Sequence, residues 1–164
     1  MNRKTLIGCI LLLIWLAGVT MSCATLSGQN ATPPETTPDL KLSTTQVPPG
    51  REPGTVDEKW FAEMMGDLPS DVHLVDVRSK WAFAKAHLPK SMNMPRKDFY
   101  SQGCEAYIAK LPQHGTIIFI CTAGNYSRSV YSSIRDRCRY QEIHRVFFLN
   151  ARIDYENGTL NIPE

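Results

Sequence analysis

The chain has 164 residues, 43% of them hydrophobic, and 18 Lys and Arg balance 16 Asp and Glu to a net charge of +2. So even a balance gives no electrostatic footprint for nucleic acid, and none is expected as a partner. Five cysteines and four scattered histidines show no metal-ligand spacing, so no metal site is expected either.

At the amino end, Arg3 and Lys4 precede an uncharged apolar stretch from Leu6 to Val19. That stretch is shorter than the ~20 residues a membrane span needs and suits the core of a signal peptide. Thr20-Met21-Ser22-Cys23 resembles a bacterial lipobox, which makes residues 1–22 a lipoprotein-type signal peptide and Cys23 the lipid-bearing first residue of the mature chain. On this reading the protein is exported to the bacterial cell envelope and held to the membrane by its lipid, facing the periplasm. Cleavage after Ala24, giving a soluble periplasmic protein, and an uncleaved anchor remain open as rivals. Loss of residues 1–22 removes Arg3 and Lys4 and no acid, leaving a formally neutral chain. Residues 23–54 are rich in Pro and Thr and poor in large apolar side chains. Such a composition buries too little surface to offset the entropy of ordering, so this segment is expected to be a disordered tether.

The globular domain is expected over residues 55–164. Thr55 with Glu58 forms a candidate capping box, and Trp60, Phe61, Met64 and Met65 then mark a buried helical stripe ending near Gly66. Val72 to Val77 reads as a strand, Lys80 to Ala86 as a short helix ended before Pro89, and Met92 to Met94 as a brief strand. Glu105 to Leu111 is expected to be helical, with a turn from Pro112 to Gly115. Thr116 to Ile120, β-branched and aromatic without interruption, has the character of a strand buried on both faces. Helix is expected over Ser127 to Arg139, from the spacing of Val130, Tyr131, Ile134 and Cys138, and strand over Arg145 to Leu149. Asn157-Gly158 marks a turn in the tail. Alternation of strand and helix predicts an α/β fold with a central parallel sheet and helices on both faces.

Arg78 and Cys121 each directly follow a strand, so both fall on the carboxyl edge where open α/β sheets bind ligands. Between Cys121 and the next helix lies a small-residue loop with Gly124 and Asn125, which tolerate left-handed backbone. Backbone N–H groups and a helix amino end around a cysteine favour the thiolate. The pattern points to a nucleophile, or to a cradle for an anion bonded to sulfur.

Residues 72–95, VHLVDVRSKWAFAKAHLPKSMNMP, resemble the first signature of the rhodanese-like family, approximately LIDVRxxxEFxxGHIPGAxNIP. Asp76-Val77-Arg78, Phe83, His87-Leu88-Pro89 and Asn93 to Pro95 carry the match. Cys121 lies at the distance expected of the family's active loop, typically CRxGxRS, with Gly124, Asn125 and Ser127 in their places. The resemblance implies a rhodanese-like three-layer fold over about residues 55–155. It also implies sulfurtransferase activity: a Cys121 persulfide takes sulfane sulfur from thiosulfate, a polysulfide or a persulfide and passes it to cyanide or a thiol, which can belong to a partner protein. The loop Thr122, Ala123, Gly124, Asn125, Tyr126 and Ser127 would bind the sulfur anion. Asp76, Arg78 and Arg128 would support it, with no metal or organic cofactor.

Thr122 and Tyr126 stand where the family commonly has arginines, which makes the loop less basic and puts thiosulfate in question as donor. Phosphatase relatives need Arg six positions after the cysteine, and Ser127 is there instead. Ala82 replaces the usual Glu, and Ala86 and Lys90 replace two glycines. Arg96-Lys97 and Lys80 could steer small anions or merely solvate the surface. Cys104 and Cys138 are left as a possible structural pair, or as two buried thiols. His87 is expected to make structural hydrogen bonds. The rival function is a non-catalytic binding or sulfur-carrier module of an envelope complex.

Overall fold

The computed structural model describes residues 45–162. The signal peptide, Cys23 and the greater part of the expected tether lie outside the described residues. Helix α1 spans Glu58–Met64, strand β1 Val72–Asp76, helix α2 Lys80–Lys85 and strand β2 Met92–Asn93. Helix α3 (Arg96–Ile108), strand β3 (Thr116–Ile120) and helix α4 (Asn125–Ser132) follow. A π turn over Ser133–Arg137 continues α4, and a 3₁₀ turn over Ile143–Arg145 leads into strand β4 (Val146–Phe148). Strands β5 (Arg152–Asp154) and β6 (Thr159–Asn161) close the fold.

The central sheet has the order β2-β1-β3-β4, and every pairing in it is parallel. Thr55 adds a parallel bridge beside Phe148, so the sheet gains a fifth, partial strand. All five residues of β3 are buried, and their side chains alternate between two cores. Ile117, Phe119 and Cys121 join Val130, Tyr131 and Ile134 from α4 and its π turn, and Phe99 and Tyr107 from α3. Ile118 and Ile120 point the other way, towards Phe61 of α1, Leu88, Val47 and Ile153. Helical layers thus cover both faces.

Five sequence expectations need correction. The cap of α1 is Asp57, whose carboxylate accepts the Trp60 N–H at 2.8 Å. Thr55 is drawn instead into the sheet, and its hydroxyl closes a tight turn on the Glu52 carbonyl at 2.7 Å. The Trp60, Met64 and Met65 side chains are half-buried, and Phe61 alone is the fully buried residue of α1. Helix α3 begins nine residues before Glu105, at Arg96, because Pro95 fixes an extended turn into it; Gly103, at φ 82°, then kinks it. Helix α4 begins at Asn125, two residues early, since Gly124 already turns the chain.

The fifth correction concerns the tether, whose last part is a packed strap. The Asp71 carboxylate accepts both the backbone N–H and the hydroxyl of Thr45. Val47 is buried, and Pro49 bridges to Val56. Buried Val47, the Asp71 carboxylate and backbone bonds such as Asp57 N–H to the Pro48 carbonyl at 2.9 Å order a segment whose composition alone reads as a linker. The tail turn at Asn157-Gly158 joins an antiparallel hairpin, β5 to β6, whose three-residue strands are too short to show a period. Cys104 and Cys138 form a disulfide between the second half of α3 and the end of the π turn.

Candidate active site

Cys121 immediately follows β3, at the carboxyl edge of the sheet, and is 2% exposed. Gly124 makes the reversal from strand to helix possible. It sits at φ 80°, and a Cβ there would lie 2.8 Å from Asn150 Oδ1 and 3.0 Å from Asn150 Cα. Helix α4 therefore starts directly against the sulfur. The Ser127 N–H points at Cys121 Sγ at 3.5 Å, and the Ser127 hydroxyl lies 3.6 Å from it. That hydroxyl donates towards the Gly124 and Leu149 carbonyls at 2.8 and 3.2 Å, which leaves its lone pairs for the thiol. Asn125 Oδ1 accepts the Tyr126 N–H at 2.9 Å and faces the Cys121 thiol at 3.8 Å.

The supporting residues occupy separate positions. Asp76, fully buried, ends β1 and grips Arg78: Nη2 to Oδ2 is 2.6 Å, Nε to Oδ2 2.9 Å, and the Arg78 backbone N–H to Oδ1 2.9 Å. Arg78 also donates to the Ala86 carbonyl at 2.7 Å, so one guanidinium ties the end of β1 to the end of α2. Its face lies 3.2 Å from the Tyr155 ring centroid. Burial drives the Tyr155 phenol well above its ordinary pKa, with the nearby Asp76 and Cys121 adding to the effect and Arg78 opposing it. Arg128 turns away from the loop and pairs with Glu52 of the strap, 5.1 Å from the Phe148 ring centroid.

Two features of this edge are not apparent from the motifs. A cleft of about 410 Å³ opens beside Thr122, walled by Arg78, Trp81, Lys85, Arg152 and Tyr155. Tyr155 reaches it from the β5–β6 hairpin. On the other side of the loop, the Arg96 guanidinium lies 4.9 Å from the ring centroids of both Tyr126 and Tyr100. Its Nε approaches the Ser129 hydroxyl at 3.4 Å, and Tyr100 OH meets the same hydroxyl at 3.1 Å. A cavity of about 590 Å³, lined by Val47, Gly115, Thr116 and Arg145, belongs to the opposite, amino edge and is remote from the cysteine. His87 Nδ1 lies 2.9 Å from the Phe83 carbonyl, within its own turn. Among the described residues there is no cluster of metal-ligating side chains.

Cys121 thus closes a parallel strand at the carboxyl edge of the sheet, against the start of a helix. The rhodanese-like domain model matches residues 57–152, and the chain belongs to that family. Among solved structures, it is similar to a rhodanese-related protein from Thermoplasma volcanium, at 16% identity and TM-score 0.46, over 66% of this chain and 98% of that one. A single-domain sulfurtransferase from Saccharomyces cerevisiae matches at 15% identity and TM-score 0.46, over 65% of this chain and 89% of that one. A rhodanese-like domain protein from Staphylococcus aureus matches at 17% identity and TM-score 0.36, over 60% and 87% respectively. No curated protein matches the chain significantly.

Proposed function

We propose that the protein is a sulfurtransferase that carries sulfane sulfur on Cys121. The observation that supports this most directly is the free cysteine itself, buried at the strand end with the Ser127 N–H directed at its sulfur. In the first half-reaction the Cys121 thiolate attacks the outer sulfur of a donor such as thiosulfate. A bond forms from Sγ to that sulfur, the donor's S–S bond breaks, and sulfite leaves with the bonding pair. In the second, cyanide or a thiolate attacks the outer sulfur, the persulfide bond breaks, and the Cys121 thiolate is restored. Two half-reactions through a covalent intermediate give ping-pong kinetics. The Ser127 N–H, directed at Sγ, and the other N–H groups of the loop would receive the charge of the persulfide's outer sulfur. Arg78 works at a distance by holding the edge together, since its guanidinium is already committed to Asp76 and Ala86.

The cleft beside Thr122 favours an acceptor larger than cyanide, such as a thiol on a partner protein. The amino-terminal signature favours work in the bacterial cell envelope, with Cys23 as the lipid-bearing residue. Among the described residues no helix is long and apolar enough to cross a membrane. Mass spectrometry after exposure to thiosulfate and to polysulfide, before and after reductant, tests the chemistry. The wild type should gain one sulfur that reductant removes, and Cys121→Ser should gain none. Loading without turnover to any thiol or cyanide would instead identify a sulfur carrier. Absence of loading from every donor would refute sulfur transfer.

A further inference from the structure

We infer that Arg96, from outside the loop, is the residue that binds the sulfo group of the donor and so selects thiosulfate-type donors; this rests on the sulfur-transfer reading above. The loop itself carries no cation toward the thiol, because Tyr126 replaces an arginine and Arg128 is turned to Glu52. Arg78 is neutralised by Asp76, and Lys85 by Glu156. Arg96 differs from all of these. It is half-buried and has no carboxylate within ion-pair distance among the described residues. Its Nε is turned to Ser129, and its two Nη groups bond no carbonyl or carboxylate among the described residues. Instead, the faces of Tyr126 and Tyr100 hold it in place. Aromatic faces fix a guanidinium without cancelling its charge, and partial burial strengthens its pull on an anion.

Its position follows from the backbone. The Arg96 N–H bonds the Val77 carbonyl at 2.9 Å, and the Val77 N–H bonds the Ile120 carbonyl at 3.0 Å. Arg96 and Cys121 therefore stand on one edge, either side of the Val77 row, and Tyr126 of the loop reaches back to the guanidinium. A planar fork with open N–H groups suits the oxygens of a sulfo group. With those oxygens on Arg96, the donor's outer sulfur can face Cys121, and the same guanidinium stabilises the departing sulfite. The charge that the loop lacks is delivered by the first residue of α3. Tyr126 is then the platform for the cation that its position would otherwise supply.

Sulfur loading should be measured with thiosulfate and with polysulfide, which has no sulfo group, in wild type, Arg96→Gln, Arg96→Lys and Lys97→Gln. Arg96→Gln should lower kcat/KM for thiosulfate by about tenfold to a hundredfold, at least fivefold more than for polysulfide, and should flatten its dependence on salt. Arg96→Lys should recover part of the loss, and exposed Lys97→Gln should change neither donor. Sulfite binding to Cys121→Ser, read by calorimetry with and without Arg96→Gln, reports the same site without turnover. An unchanged thiosulfate efficiency, an equal loss for both donors, or sulfite binding indifferent to Arg96 would overturn the inference. Sulfite binding that depends on Arg96 in a protein that never loads sulfur would uphold the anion site while refuting the sulfur-transfer reading.

Discussion

Asp76 and Arg78 show how single side chains hold this edge in shape. A fully buried carboxylate survives only when its charge is matched and its lone pairs are filled, and Arg78 with its own backbone N–H does both. Arg78→Met preserves much of the volume and the contact with Tyr155 but strips the buried Asp76 carboxyl of its ion-pair partner. The expected cost is about 3–5 kcal/mol, read as a lower urea midpoint at neutral pH. The double variant Asp76→Leu with Arg78→Met should recover much of that stability. A single variant as stable as wild type would show that water replaces the guanidinium. The sulfur sits among groups that cost little to assemble, since Ser127 and Asn125 reach it through backbone already fixed by α4.

At the scale of elements, the reversal from β3 to α4 depends on one backbone angle. Gly124→Ala must hold a left-handed φ while its methyl meets Asn150, so the helix start should draw back from the sulfur. We expect a loss of about 1–3 kcal/mol in stability and a disproportionate loss of sulfur loading, measured by denaturation and mass spectrometry on one preparation. The strap depends on acidity. Its hydrogen bonds to Thr45 hold the Asp71 carboxyl below its ordinary pKa. A depressed carboxyl contributes stability that is full above its unfolded value, near pH 4, and is lost as pH falls through the lower folded value. Residues 45–49 should therefore loosen below about pH 4, seen as faster amide exchange there. Asp71→Asn should be less stable at neutral pH and show a shallower decline in acid. An unaltered acid profile would exclude the strap from this linkage.

Much of this architecture is legible in the sequence, for particular reasons. The run from Thr116 to Ile120 is long and apolar enough to announce a central strand, and the glycine after Cys121 announces the turn beyond it. Arg96 to Gln102 escapes notice because its two aromatic residues are adjacent in sequence, whereas a buried helical stripe would space them by three or four. Tyr155 and Arg96 meet the loop through space, from segments 25 or more residues away, and no local pattern records such a meeting.

For the whole molecule, the disulfide links α3, whose first residue is Arg96, to the end of the π turn that continues α4. Cys104 and Cys138 are 34 residues apart, and the intervening chain contains β3, Cys121 and all of α4. Closing that loop should stabilise the domain by about 2–4 kcal/mol. Replacing both cysteines with serine should lower Tm, and reductant should lower the wild-type Tm to a similar value while leaving the double variant unmoved. Equal Tm values with and without reductant would mean that the bond contributes nothing to the fold.

The strap also fixes where Thr45, the first described residue, stands on the domain. Thr45 is held at the amino edge of the sheet by Asp71, just before β1, and its carbonyl takes the hydroxyl of Thr116 at the start of β3. Asn161, near the other end, lines the cleft beside the thiol. The two ends are therefore unequal as handles. A bulky carrier fused ahead of Thr45 should leave sulfur transfer untouched, and one fused after Glu164 should crowd large thiol acceptors while sparing cyanide. A bead coupled directly ahead of Thr45 should therefore leave the edge that bears Cys121 open to reagents, whereas one coupled at the other end should shield it.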